Sequence, residues 1–158
     1  MKNQARAAPA TGTSDSRPPV TALEDIEKAL DQEEVVGGAF RLRIDRPGLT
    51  FRLIEAGSNA RARFLGIFFG DQGIFCRRKA FWSAGGYPAI PIMEDWELGR
   101  ALQRRGRMVL LPSHITTSAR RWERHGTWRT VFLMHKLKLL YAWGTPPEKL
   151  KELYDDAR

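Results

Sequence analysis

Large apolar residues are almost absent from Met1 to about Val20, where Ala, Thr, Ser, Pro and Gln dominate, and this predicts a disordered leader over residues 1–20. Beyond it Leu23, Ile26 and Leu30 recur at helical spacing after Thr21, which is placed to cap a short helix. A strand is predicted over Val35–Ile44, with Gly37 and Gly38 marking a bulge or a close backbone approach. Pro47 opens a second helix that runs to about Leu65, and the polar turn Gly70 to Gly73 leads into a short strand, Ile74–Arg77. Lys79 to Ala84 reads as a short helix stopped by Gly85 and Gly86, and Pro88 and Pro91 hold the next stretch extended. A helix follows over Glu94–Arg105, then a strand over Met108–Leu111 that should stop at Pro112. Ile115 to Trp122 reads as a further strand or extended segment. An amphipathic helix runs from Gly126 to about Trp143, and a last short helix starts after Pro146 and Pro147.

Helices and strands alternate, so the fold class is α/β. Three or four strands, all after residue 34, are few for a complete doubly wound sheet, and the pattern therefore suggests part of a larger fold. No repeat is visible, and at 158 residues one core is expected, over residues 21–158.

The formal net charge of +8 favours a partner that carries phosphate: nucleic acid, a nucleotide diphosphate or anionic lipid. Cys76 is the only cysteine, which excludes an internal disulfide and a cysteine-built zinc site. His114, His125 and His135 lack zinc-site spacing, and neither a P-loop nor a G-x-G-x-x-G motif is present. No window approaches the ~18 apolar residues of a membrane span, so the expected location is cytoplasmic, extending to a peripheral position on the inner face of the membrane.

The stretch GGYPAIPIMEDWEL, Gly85 to Leu98, brings two adjacent carboxylates to the first turn of a helix behind a proline-stiffened loop. Asp95 lies three residues before Leu98 and seven before Leu102, close to the buried stripe. The helix N-terminus favours its ionised form and desolvation opposes it, the balance that a general base needs. The plain alternative is that Glu94 and Asp95 only complement the helix dipole, at ~0.3 to 1 kcal/mol each.

Together with the SARRWERHG segment, this stretch resembles the second half of inverting family 2 glycosyltransferases of the GT-A fold, in particular a bacterial subgroup of uncertain substrate. The similarity spans about Asp15 to Tyr154 and implies a partial GT-A (nucleotide-diphospho-sugar transferase) fold, its C-terminal half. It implies that Asp95 takes the proton of an acceptor hydroxyl, supported by Glu94, in a single inverting displacement on a nucleotide-sugar donor. Asp71, Gln72 and Gly86 would border the acceptor. Arg121 and Trp122 would meet the donor's diphosphate and its sugar or base, as at the end of a Q-x-x-R-W signature. Ser118 stands where the glutamine would be, which argues against processivity. A divalent cation, Mg²⁺ or Mn²⁺, is implied too, yet only Asp15 corresponds to its D-x-D type motif, with Thr13 and Ser14 in the preceding positions. The expectation is a truncated transferase whose activity as an isolated chain stays open, with a missing N-terminal half or a homo-oligomer as the partner that would complete it.

Trp128, Phe132, His135, Leu139 and Trp143 fall near one face of the helix after Gly126, among Arg129, Lys136 and Lys138. Such a face suits an anionic membrane surface, and its ordinary alternative is docking on the sheet. Two rival functions remain: a noncatalytic scaffold that keeps only the fold, and a basic nucleic-acid-binding module built on Arg120, Arg121 and Arg124, which no binding motif accompanies.

Overall fold

The computed structural model describes residues 16–120 and 126–157, which form a mixed α/β unit with a four-stranded sheet and six α-helices. In chain order these are β1 (Ser16–Arg17), α1 (Ala22–Leu30), β2 (Val35–Ile44), α2 (Leu49–Leu65), a single 3₁₀ turn (Gly70–Gln72), β3 (Phe75–Cys76), α3 (Arg78–Ser83), α4 (Glu94–Gln103), β4 (Arg107–Thr117), α5 (Thr127–Ala142) and α6 (Pro147–Asp156). The strand order is β1-β4-β2-β3. The central pair β2 and β4 is parallel, whereas β1 and β3 join their edges antiparallel.

The central pair is buried on both faces, which is why β2 reads as a nearly continuous apolar run. On one face α1 packs Ile26 and Leu30 against Val35, Phe40, Leu111 and Ile115. On the other, Leu98 and Leu102 of α4 meet Val36 and Met108, and Ala62 and Phe68 meet Ala39 and Ile74. A satellite core of Phe69, Met93, Leu137 and Leu150 ties α5 and α6 to the start of α4.

Gly37 and Gly38 fulfil both expectations placed on them. The register slips by one residue between Val35 and Gly37, and a Cβ on Gly38 would stand 2.2 Å from the Val109 carbonyl oxygen. Pro112 does not end its strand: β4 is continuous from Arg107 to Thr117. The register instead slips between Ala39 and Arg41, whose partners Leu110 and His114 bracket Pro112, so the proline sits where no ladder donor is required.

Two further differences concern the ends of the sheet. Ser16–Arg17, inside the stretch expected as a leader, pairs with Thr117 and Thr116. Because β3 spans only two residues, it leaves the edge of β2 beyond Gly38 to α2. The Asn59 side-chain amide accepts from Leu42 N at 2.8 Å and donates to Leu42 O at 3.1 Å, while Glu55 Oε1 accepts from Ile44 N at 2.6 Å. Two polar side chains of one helix thus stand in for the absent strand.

Candidate functional site

The loop before α4 is fixed in two steps. Gly85 and Gly86 adopt positive φ and close α3, Gly86 N donating to Phe81 O and Gly85 N to Trp82 O. Met93 then enters α4 at φ 69°, the one described non-glycine residue with positive φ, its side chain buried among Phe69, Leu137 and Leu150. A bulky residue in this region is strained, and burial of its thioether side chain holds it there. Glu94 and Asp95 follow directly, in the first turn. Since α4 leads into β4, with Leu98 and Leu102 on the starts of β2 and β4, its first turn is directed toward the carboxyl ends of the parallel pair.

Asp95 is half-buried and faces the 3₁₀ turn. Its Oδ2 accepts from Gly70 N at 2.7 Å, and its Oδ1 from Trp96 N at 2.7 Å. Burial pushes its carboxyl above the ordinary range, the two backbone N–H groups pull it back, and the charges of Glu94 and Asp71 raise it further. Each oxygen keeps one lone pair beyond the bond described.

Asp71 and Gln72 lie in the same turn, as expected, and both have unmet bonding capacity. Asp71 Oδ1 and Gln72 Nε2 are buried without a partner, while Gln72 Oε1 accepts from Arg61 Nη2 at 3.0 Å. Gly86 belongs elsewhere: it caps α3 and lies 3.5 Å, measured from a Cβ built on it, from the Phe81 ring. Glu94 is half-buried beside Asp95 and acts on it through charge.

Two cations complete the cluster, and neither was singled out as a site residue from sequence. The Arg61 guanidinium lies 4.4 Å from the Phe69 ring centre and the Lys138 ammonium 4.2 Å from it. Burial lowers both, Lys138 to about 8, with Arg61 adding to the effect on Lys138 and the carboxylates of Asp71 and Asp95 opposing it. Arg61 and Lys138 are thus brought, from α2 and α5, to the two carboxylates of the turn and α4. Their only sequence signal is that each adjoins a buried apolar residue, Arg61 beside Ala62 and Lys138 beside Leu137, and a basic residue next to an apolar one is too common to single out.

A separate cavity of about 400 Å³ opens where β2 and β4 end, lined by Asp45, Arg46, Pro47, Ser118, Ala119 and Arg120. Asp45 shapes it: its Oδ1 accepts from Ala119 N at 2.8 Å and its own N–H donates to Thr117 O at 3.0 Å. Asp95 is not part of its lining. Arg121 and Trp122, which follow this wall, lie outside the described residues, as does Asp15 next to Ser16. Among the described residues no group of three or more His, Cys, Asp or Glu side chains is placed to hold a metal ion. The cation expected from the resemblance would draw on Asp15. No described helix is long and apolar enough to cross a membrane.

Comparison with protein-family models, with curated proteins and with solved structures finds no match for this chain.

Proposed function

We propose that the chain is the acceptor-side half of an inverting glycosyltransferase of the family 2 type, in which Asp95 takes the proton of the acceptor hydroxyl. The observation that carries this reading is the setting of Asp95. It is a desolvated carboxylate, raised in pKa, on the first turn of a helix directed toward the carboxyl ends of a parallel strand pair. With two N–H donors holding its oxygens, its orientation is set before any substrate arrives.

In the proposed reaction the acceptor oxygen attacks the anomeric carbon as Asp95 removes its proton. The bond from that carbon to the nucleotide diphosphate breaks, and the configuration inverts. The separate cavity lined by Arg46 and Arg120 suits a phosphate group of the donor, because guanidinium groups match phosphate oxygens in charge and geometry, and its relation to Asp95 is part of the proposal. Arg121 and Trp122 continue that wall in sequence and keep the roles that the resemblance implies. A divalent cation and a missing N-terminal half or second copy belong to the same proposal, and no step is derived through either.

One observation favours a second reading, a noncatalytic scaffold. Both oxygens of Asp95 already serve the backbone, so the residue could act only as a tether between α4 and the turn. Incubation with a panel of nucleotide sugars, with Mg²⁺ or Mn²⁺ and without, separates the two. The transferase reading expects cation-stimulated release of nucleoside diphosphate, lost in Asp95→Asn, and the scaffold reading expects no release from any donor. For the nucleic-acid module, the expectation is instead salt-dependent binding of single-stranded oligonucleotides without turnover.

A further inference from the structure

α5 has two apolar faces, and only one of them is used. Leu137 is fully buried, and with Leu133, Met134, Leu140 and Tyr141 it packs toward α4 and α6. On the opposite side Trp128, Phe132, Leu139 and Trp143 are 53%, 69%, 57% and 81% exposed. Their intervals of four, seven and four residues place them in one stripe, with His135, also exposed, on the same line. Trp128 and Phe132 lie side by side, ring centres 6.3 Å apart. A run of 16 helical residues extends the stripe over roughly 24 Å, with a tryptophan near each end.

We propose that this outer face of α5 docks in the plane of an anionic lipid surface. Charge selects lipid over other occupants. Thr127–Ala142 contains Arg129, Lys136 and Lys138 and no acidic residue, and Arg129 and Lys136 are exposed on one flank of the stripe. The acidic residues that follow α5, Glu148, Glu152, Asp155 and Asp156, belong to α6, which packs against the opposite face of α5 through Leu150 and meets the flank where Arg129 Nη2 donates to Ala157 O at 3.4 Å. A lipid surface rich in negative headgroups gains from Arg129 and Lys136, whereas a second copy with net charge +8 would bring the same cations into opposition. Tryptophan at the ends of the stripe suits the headgroup boundary, where an aromatic ring is half in lipid and the indole N–H stays hydrated. The helix lies on the surface and does not cross it, since no described helix has the required length and apolarity.

This proposal is independent of the transferase reading, because it uses no residue of the Asp95 cluster except Lys138, which faces inward.

The test is co-sedimentation of the full chain with phosphatidylcholine vesicles, with and without phosphatidylglycerol, read together with tryptophan quenching by brominated lipid. The expected result is binding to the anionic vesicles that weakens with salt, and quenching of the tryptophans. The Trp128→Ala/Trp143→Ala double variant and the Lys136→Glu variant should each bind roughly tenfold more weakly. Because these side chains are exposed, both variants should keep the wild-type circular dichroism. Sedimentation with neither vesicle, or variants that bind as the wild type does, would overturn the proposal. So would a dimer in the wild type that these substitutions dissolve while no lipid is bound, since a second copy would then be the occupant.

Discussion

Asp95 and Lys138 hold opposite charges in the same partly dry cluster, and each is shifted toward its neutral form. Such shifts are costs to the fold with definite pH windows. Lys138, with an ordinary value of 10.5 and a folded value of about 8, is depressed. Its stabilising contribution is full above the higher value and is lost as pH falls through the lower one. Tyr141, raised to about 12, and Cys76, raised to about 11, pull the other way in the alkaline range, so the wild-type curve alone does not isolate Lys138. The difference between wild type and Lys138→Met does. Relative to this variant, the wild type should gain about 2 kcal/mol between pH 8 and 10.5 in urea unfolding, after discounting for partial exposure. A flat difference would place the ammonium in water. Asp95 is raised, so the stability it contributes is complete below its ordinary value of 3.8 and is lost as pH climbs through the folded value. Asp95→Asn removes that titration but leaves one of the two N–H groups, of Gly70 or Trp96, without an acceptor, at a cost of about 1–2 kcal/mol.

Elements with a strong period were legible in the chain, and those defined by a partner were not. The Val35–Ile44 strand is found with the boundaries read from its apolar run, and the helix ending at Leu65 stops at Gly66, which has φ 65°. The strand through Pro112 was missed because a proline is a stop only where a ladder donor is needed, and the register slip removes that need. More instructive is the edge of β2. Nothing in the spacing of Glu55 and Asn59 announces that they bond to a strand's backbone, since the pairing depends on how short β3 is. The structure makes this testable: Asn59→Ala strands both Leu42 groups and should cost about 2 kcal/mol in urea unfolding. Asn59→Asp, which keeps an acceptor and loses the donor, should recover part of it. Gly38→Ala should be worse than either, because its methyl would have to displace the Val109 carbonyl, and the expected result is failure to fold cooperatively. An Asn59→Ala chain as stable as wild type would mean that the β2 edge is solvated and not completed by α2.

At the scale of the molecule, one parallel pair organises everything: α1 covers one side, α2, α3 and α4 the other, and α5 and α6 are fastened to the start of α4. The α/β class and the placement of the Glu-Asp pair were visible in the sequence because both follow from local periodicity and helix starts. The convergence of Arg61, Asp71 and Lys138 on Asp95 was not, because it joins residues from four separate segments. That convergence underlies the proposal that Asp95 is a base poised for sugar transfer and not simply a brace for the Gly70–Gln72 turn. The measurement closest to it is the pH dependence of transfer from a nucleotide sugar under single-turnover conditions, in wild type and in Asp95→Asn, with donor affinity measured alongside. With Asp95 as the base, the wild type should show an acid limb with its midpoint above 3.8. Asp95→Asn should lose about 10²-fold or more in rate, with donor affinity unchanged. Equal rates in the two proteins, or a loss of rate explained entirely by weaker donor binding, would contradict the proposal.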